Sequence, residues 1–432
     1  MMPKSVNIFT MGCSKNRVDS EMLIRQLTEN GYDVYYEAEK GKYDYVAINT
    51  CGFIDDAKTE SIEIILHYIE EKAKKKVGKI VVFGCLSERY KNDLIQEMPE
   101  VDAWFGKFEL EKMLNYFGAK YYDNLMPMRT VTTPKHYAYV KISEGCNRTC
   151  SFCAIPRITG CYKSRKMEDI MAECQCLVNQ GAKELILIAQ DLSFYGCDIY
   201  KKPMLAQLME QIATQIKGLH WLRIHYTYPA HFPLDVLDVM AKYPNICKYI
   251  DIALQHISTP VLKAMRRNIG KQETLELIDQ FRKRVPGLTL RTTLLVGHPG
   301  ETEDDFEQLV DFVKSVRFDR LGVFAYSNEE GTYAFENYDD NIPQEIKQQR
   351  VDAIMELQQK ISTEINQQKI GKEIEVLIDR KEGDYYVGRS QGDSPDVDGE
   401  VLVDASAKLK LGDFITAKVY DADEYDLYAQ IL

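Results

Sequence analysis

The chain has 432 residues, 45% hydrophobic and 28% charged, and its 54 Lys and Arg against 66 Asp and Glu leave a net charge of −12. At roughly 150 residues per domain this length predicts two to four domains, and a composition near the globular average excludes wholesale disorder and fibrous structure. The negative balance argues against a surface that coats nucleic acid broadly and favours a basic or uncharged partner.

The longest apolar run, Ile80 to Leu86, includes a glycine and is far short of the roughly 18 residues of a membrane span. Met1 to Met11 carries one lysine and is broken at Asn7 and Thr10, unlike a secretory signal, so a cytoplasmic protein with no membrane contact is expected. From Val6 to about Leu125, β-rich runs alternate with helical stretches: Val6–Thr10 then Asp19–Asn30, Tyr45–Asn49 then Asp55–Lys76, Ile80–Gly84 then Glu88–Glu97. That alternation predicts an α/β domain over residues 1–126, a parallel sheet of flavodoxin-like size. Residues 127–136, with Pro127, Pro134 and a threonine-rich stretch, read as a linker.

Candidate strands then recur at Ala138–Ile142, Glu184–Ala189, Leu222–Tyr226, Tyr249–Leu254, Thr289–Val296 and Leu321–Tyr326. Six β/α units predict an open partial barrel rather than a closed one of eight. A Gln-rich polar helix from Pro343 to about Lys369, opened by proline in its first turn, closes this central domain of residues 137–369. Residues 370–432 alternate with period two at Glu373–Ile378, Tyr385–Arg389, Glu400–Val403 and Phe414–Tyr420, between Gly and Asp turns, which predicts a small all-β barrel.

Eleven cysteines, an odd number, are too few for a disulfide scaffold, and in a reducing compartment clustered ones point to metal or redox chemistry. Cys146, Cys150 and Cys153 form a C-x3-C-x2-C triplet directly after the first strand of the partial barrel, where such folds place chemistry. Three thiolates hold three corners of a four-iron four-sulfur cube and leave the fourth iron open, whereas ordinary ferredoxin clusters use four. A zinc site short of one ligand, or thiols that merely pack, are the alternatives. Cys13, Cys51 and Cys85 each lie just past a strand of the N-terminal sheet and next to a glycine. The carboxyl ends of parallel strands share one edge, so these three converge there and suggest a second cluster. Taken singly, each is more often a buried small hydrophobe than a ligand; three at equivalent strand ends shift the reading to a cluster.

Together these features resemble the methylthiotransferase family of the radical S-adenosylmethionine (SAM) superfamily. The likeness rests on Gly12–Asn16 (Gly-Cys-Ser-Lys-Asn), Asn49–Ile54 (Asn-Thr-Cys-Gly-Phe-Ile), Gly145–Pro156, Leu254–His256 (Leu-Gln-His) and Val296–Thr302 (Val-Gly-His-Pro-Gly-Glu-Thr), and it spans nearly the whole chain. It implies an N-terminal cluster domain, a radical SAM barrel and a C-terminal TRAM module. It also implies two four-iron four-sulfur clusters, with SAM as radical source and as methyl donor, and an external low-potential electron donor. SAM would chelate the open iron of the triplet cluster through its amino and carboxylate groups. Phe152 resembles the family's aromatic on the adenine side of SAM, with core packing as the alternative. Gln190, Asp191, Gln255 and His256 end strands two and four at the expected barrel mouth. Gly297, Gly300 and Glu301 either let the backbone approach the adenosine of SAM or make a tight turn with a carboxylate cap. Ala253 stands where proline commonly precedes Leu-Gln-His, and His298 where an aromatic precedes Pro-Gly-Glu.

One branch of the family modifies a transfer-RNA adenosine; the other modifies the β-carbon of an aspartate in protein twelve of the small ribosomal subunit. Gly12–Asn16 and Ile188–Asp191 look like the ribosomal-protein branch. Residues 370–432 hold seven Lys and Arg against fifteen Asp and Glu, a net of −8, so this module is poorly equipped for phosphate and suited to a basic ribosomal protein. Asp393, Asp396, Asp398 and Glu400, in a Gly- and Pro-containing loop, are expected to be exposed and to meet that partner. Transfer-RNA methylthiolation, with nucleic acid as partner, is the second reading, and a non-catalytic iron-sulfur electron carrier the third. Cys161, Cys174, Cys176, Cys197 and Cys247 show no ligand spacing, and His225 and His231 read as structural.

Overall fold

A computed structural model of the chain describes residues 4–125, 127–405 and 408–432. Met126, with which the expected N-terminal domain ends, lies outside the described residues. Among the described residues no helix is long and apolar enough to cross a membrane. The chain divides into two compact units, one of Met1–Thr133, Tyr139–Arg148 and Cys153–Leu177, the other of Pro134–Ala138, Thr149–Phe152 and Val178–Leu432.

The first unit opens with β1 (Ser5–Thr10), α1 (Ser14–Glu29), β2 (Asp33–Tyr36), β3 (Tyr43–Thr50), α2 (Asp55–Ala73), β4 (Val77–Gly84), α3 (Cys85–Glu97), β5 (Ala103–Trp104) and α4 (Leu110–Phe117). The sheet runs β2-β1-β3-β4-β5 and is parallel throughout, the flavodoxin-like order. Both faces are covered. Tyr45 and Ala47 of β3 pack with Leu23 and Leu27 of α1 and Phe117 of α4, whereas Val46 and Ile48 turn to Ile65 of α2 and Leu94 of α3. Burial on two sides explains why β3 and β4 read as continuous apolar runs. The short strands β2 and β5 escape the sequence pattern: β2 is a four-residue edge strand with Asp33 and Tyr35 exposed, and β5 has only two residues.

The stretch read as a linker carries a buried ion cluster. Arg129, 2% exposed, donates through Nε to Glu173 Oε1 at 2.8 Å and also binds the Glu21 carboxylate and the Tyr139 carbonyl. This unit continues through β6 (Tyr137–Lys141), β7 (Ser143–Glu144), α5 (Ile155–Thr159), β8 (Lys163–Ser164) and α6 (Met167–Asn179). Glu173, on α6, also accepts from Arg165 at 2.5 Å. Burial opposes ionisation of Glu173, but Arg165 and Arg129 outweigh it and hold the carboxyl below its usual range.

The second unit, to which the start of β6 belongs, contains β9 (Glu184–Ile188), α7 (Leu205–Gln215), β10 (Trp221–Ile224), α8 (Asp235–Lys242), β11 (Tyr249–Gln255), α9 (Thr259–Ala264), α10 (Lys271–Arg284), β12 (Thr289–Val296), α11 (Glu303–Val316), β13 (Arg320–Ala325), α12 (Tyr333–Asn337) and α13 (Gln344–Gln367). Its strands form two sheets, β10-β9-β6 and β11-β12-β13, joined by parallel bridges Leu222 to Ile246 and Thr227 to Ile252. Six strands in chain order make the open partial barrel that six β/α units predict. Pro343 precedes α13 as its extended N-cap instead of occupying its first turn.

The C-terminal strands β14 (Glu373–Glu382), β15 (Tyr385–Arg389), β16 (Val401–Asp404), β17 (Phe414–Ala422) and β18 (Leu427–Ile431) close into a barrel in the order β14-β15-β16-β18-β17. Its inner face buries Val376, Ile378, Val401, Val403, Val419 and Ala429. Charge ties this barrel to the partial barrel. Glu184 accepts from Arg223 and Arg389, each at 2.7 Å, Arg389 also binds Asp379 at 2.6 Å, and Arg320 binds Asp393 at 2.6 Å.

These contacts correct one expectation. Asp393 is 2% exposed, and Asp398 turns inward to accept from the Tyr249 hydroxyl at 2.7 Å and the Ser394 amide at 2.9 Å. Glu400 is half-buried and forms a two-pronged pair with Arg380 at 2.6 and 2.8 Å, leaving Asp396 as the exposed member of the four. The loop is polar because it docks on the chain's own arginines, a cause that composition does not distinguish from solvent exposure. Asp393→Asn should therefore cost about 3–5 kcal/mol by stranding Arg320, whereas Asp396→Asn, in a left-handed conformation with φ +68° that asparagine tolerates, should change stability by less than about 0.5 kcal/mol. Urea unfolding of the two full-length variants measures the difference.

Candidate functional site

Three strand ends of the first unit carry the N-terminal thiols. Cys13 caps α1 after β1, Cys51 follows Thr50 of β3, and Cys85 is the first residue of α3 after β4. Strands β1, β3 and β4 are adjacent and parallel, so the thiols share one edge as expected. Glycine permits the approach. A Cβ on Gly12, which has φ +84°, would stand 2.8 Å from Cys51 Cβ and 2.9 Å from its Sγ, and one on Gly52 would stand 2.6 Å from Leu86 Cα. Fully buried Asn16 fastens the edge, donating from Nδ2 to Met11 O at 3.0 Å and Thr50 O at 3.1 Å, with Cys85 Sγ 3.5 Å from its Oδ1.

Burial opposes ionisation of Cys13, yet Lys15, the Asn16 amide and Lys107 overcome it and lower the thiol below its usual range. Burial dominates at the other two, raising Cys51 and pushing Cys85 up to about 12 against the pull of Lys107. Among the described residues, no three His, Cys, Asp or Glu side chains are set around a single metal ion. Thiolates that each bind a different iron of a cube stand farther apart than ligands of one ion, so three cysteine donors on neighbouring loops fit a cluster.

The triplet lies between β7 and α5. Cys146 N–H donates to Gly160 O at 3.1 Å, and its Sγ accepts from the Arg148 amide at 3.4 Å. Cys150 Sγ lies 3.4 Å from Arg267 Nη1 and 3.8 Å from the Tyr228 hydroxyl. Arg267 stacks 4.1 Å from the centroid of the Tyr228 ring, and that hydroxyl donates to Arg267 O at 2.8 Å. Arg266 and Asn268, on either side, have φ of +56° and +53°. Non-glycine residues in the left-handed region collect at functional sites, and here they set a buried guanidinium against a thiol. The sequence reading missed Arg267 and Tyr228; the Arg-Arg-Asn run after α9 is the local signal of the first, and no spacing signals the second. Cys153 is half-exposed and Cys161 exposed, while Cys174 and Cys247 are buried as packing residues.

The expected SAM residues occupy several environments. Phe152 and Gln190 are half-buried. Asp191 is buried and caps a short 3₁₀ turn, its Oδ1 accepting from the Ser193 amide at 2.9 Å. Gln255 ends β11 beyond a register shift, with φ +71°. His256 is fully buried; its Nδ1 accepts from the Ser258 amide at 2.9 Å, and burial lowers its pKa to about 3. Gly297 is needed for a neighbouring helix: a Cβ there would overlap the Lys347 side chain of α13. Glu301 holds the turn, accepting from Gly297 N at 2.7 Å and from Arg350 Nη1 at 2.7 Å, and burial raises its pKa to about 7. The tight-turn reading of this segment therefore has direct geometric support. Buried His298, where the family resemblance implies an aromatic, places Nε2 3.0 Å from Ser151 Oγ inside the triplet.

Family models match three parts of the chain: the uncharacterized protein family UPF0004 over residues 5–106, the radical SAM superfamily over 140–313 and the TRAM domain over 370–432. The ribosomal protein uS12 methylthiotransferase RimO of Bacteroides thetaiotaomicron is 56% identical over all of this chain and 99% of that protein. The protein of the same name from Parabacteroides distasonis is 54% identical over the full length of both. Among solved structures, the radical SAM methyltransferase TsrM of Kitasatospora setae, with tryptophan and a SAM analogue bound, superposes with a TM-score of 0.55 at 14% identity, over 74% of this chain and 72% of that one. That likeness concerns the fold. The end-to-end identity with RimO proteins reaches further: the chain belongs to the radical SAM methylthiotransferase family and is an enzyme of that family.

Proposed function

We propose that this enzyme inserts a methylthio group at the β-carbon of an aspartate in ribosomal protein uS12. The observation that carries the reading is the full-length identity above one half to proteins named as uS12 methylthiotransferases, with thiols present at both expected positions. On this reading Cys146, Cys150 and Cys153 hold one four-iron four-sulfur cluster, and Cys13, Cys51 and Cys85 hold a second. Bound there, the clusters and SAM would supply radical chemistry and the methylthio group.

The chain's own residues have narrower tasks. Arg267 donates toward Cys150 Sγ and so orients that side chain, while the Tyr228 ring buttresses the guanidinium and its hydroxyl binds the Arg267 carbonyl. Ser151 and His298 fix the backbone between the second and third thiols. Gln190, Asp191 and Gln255, at strand ends, are the polar groups proposed to orient SAM, with Phe152 on its adenine side. Glu301 and Arg350 keep the Gly297 turn in place and exclude water from beneath it. Electrons come from an external low-potential donor.

Recognition of a basic ribosomal protein falls to the acidity that the C-terminal barrel leaves exposed. Asp393 and Asp398 are committed internally and Glu400 is half-buried against Arg380, so Asp396 remains a proposed contact and the exposed Glu382 and Asp384 join it. Reversing these three to Lys should weaken uS12 binding roughly tenfold at low salt, chiefly through the on-rate, with the loss shrinking as salt rises. Binding kinetics at two salt concentrations, with unmodified transfer RNA as the comparison, measure this. Gained RNA turnover with unchanged uS12 binding would favour the adenosine substrate instead.

The two cysteine sets should also separate. Replacing Cys146, Cys150 and Cys153 with Ala should halve the roughly eight irons loaded anaerobically and abolish 5′-deoxyadenosine formation. Replacing Cys13, Cys51 and Cys85 should spare SAM cleavage and abolish methylthio transfer. Iron analysis, chromatography of 5′-deoxyadenosine and mass spectrometry of uS12 read these outcomes, and colourless, iron-free protein would point to a different metal.

A further inference from the structure

Lys107 follows β5 in the turn Gly106–Phe108, beside the strand whose end carries Cys85. That turn is built tightly. Lys107 N donates to Glu88 Oε2 at 2.7 Å, Gly106 N donates to Glu109 Oε2 at 2.7 Å, and a Cβ on Gly106 would overlap the Glu88 carboxylate. The lysine side chain is 3% exposed. Its Nζ lies 2.8 Å from Asp19 Oδ2, 3.5 Å from Asn16 Oδ1 and 3.9 Å from Glu144 Oε2. The same Asn16 oxygen lies 3.5 Å from Cys85 Sγ, so the ammonium and the thiol share a neighbour.

A second lysine sharpens the contrast. Lys141 binds the other oxygen of Asp19 and lies 2.7 Å from Glu144 Oε2. Two carboxylates and two lysines make a neutral, largely buried quartet in which Lys107 is the most enclosed member, and such burial of charge is tolerated only when the charges are paired in this way. Pairing alone explains Lys141. It does not explain why Lys107 sits at the strand-end edge against Asn16, whose Oδ1 faces both the ammonium and Cys85 Sγ.

We infer that Lys107 is a positioning residue of the auxiliary centre: its ammonium, fixed by Asp19 and Asn16 on the Cys85 side, stabilises the more negatively charged, reduced state of the group held by Cys13, Cys51 and Cys85. The inference rests on the reading that these three cysteines hold an iron-sulfur cluster. Reduction potentials of such clusters follow local charge, and a fixed charge acts strongly where water is excluded. Removing the cation should lower the potential, and removing the neighbouring Asp19 anion should raise it.

The test uses the full chain with Cys146, Cys150 and Cys153 replaced by Ala, reconstituted anaerobically with iron and sulfide and titrated potentiometrically by electron paramagnetic resonance. Against this parent, Lys107→Met should reduce the ratio of reduced to oxidised cluster about tenfold at a fixed potential, a downward shift of about 59 mV for one electron. Asp19→Asn should shift the midpoint upward, and Lys107→Arg should keep it near the parent value. A purely structural role predicts no such opposition of sign. Unmoved midpoints, or shifts of Lys107→Met and Asp19→Asn in one direction, would overturn the inference. If Lys107→Met fails to load iron, Asp19→Asn decides, and an unchanged or lowered midpoint there overturns it. Absence of iron in the parent itself would instead overturn the assignment of the three cysteines.

Discussion

Parallel strands end together, and the placing of the three N-terminal thiols depends on that constraint. Cys13, Cys51 and Cys85 are separated by 38 and 34 positions, yet β1, β3 and β4 run side by side and deliver them to one edge. The edge is crowded enough that Gly12 and Gly52 accommodate no side chain. A methyl group at either position would push one cysteine loop from the next, so the backbone sets the thiol spacing before any metal arrives. Asn16 completes the arrangement by tying the ends of β1 and β3 from the first turn of α1.

Buried charge holds the rest in register. Arg129 with Glu21 and Glu173, Arg389 with Glu184 and Asp379, Arg320 with Asp393, and Arg350 with Glu301 each join segments far apart in sequence. Such pairs contribute little net stability compared with an apolar replacement, because desolvation cancels most of the attraction. Their value lies in specificity. A guanidinium needs its carboxylate at one distance and one angle, so an alternative docking of the C-terminal barrel would strand charges that this docking satisfies.

This division explains what was legible in the sequence. The strand-helix alternation, the partial barrel, the small β-barrel and both cysteine sets follow from local patterns: periodicity, turn residues and spacing within a few positions. Lys107, Arg267, Tyr228 and Arg350 were invisible because each takes its role from a partner many residues away. Asp393 and Asp398 were misread for the same reason. A carboxylate in a Gly- and Pro-containing loop looks exposed until the arginine or tyrosine that receives it is known. Gly297 shows the converse, since its conformational freedom was legible and its cause, the approach of Lys347 from α13, was not.

The departure at position 298 follows the same logic. A phenylalanine there would fill space and make no hydrogen bond, whereas histidine reaches Ser151 Oγ with one nitrogen and lies 3.1 Å from Pro299 O with the other. Burial lowers its pKa to about 4, so the ring is neutral near pH 7 and has one N–H. The Pro299 carbonyl can only accept, which places that proton on Nδ1 and leaves Nε2 to accept from the serine hydroxyl. The packing of the imidazole edge-on against Tyr326 and Tyr338 keeps the aromatic character of the position. Histidine therefore retains the shape an aromatic would supply and adds a directional tie to the residue between Cys150 and Cys153, so the loop that carries the triplet is oriented by a hydrogen bond as well as by packing.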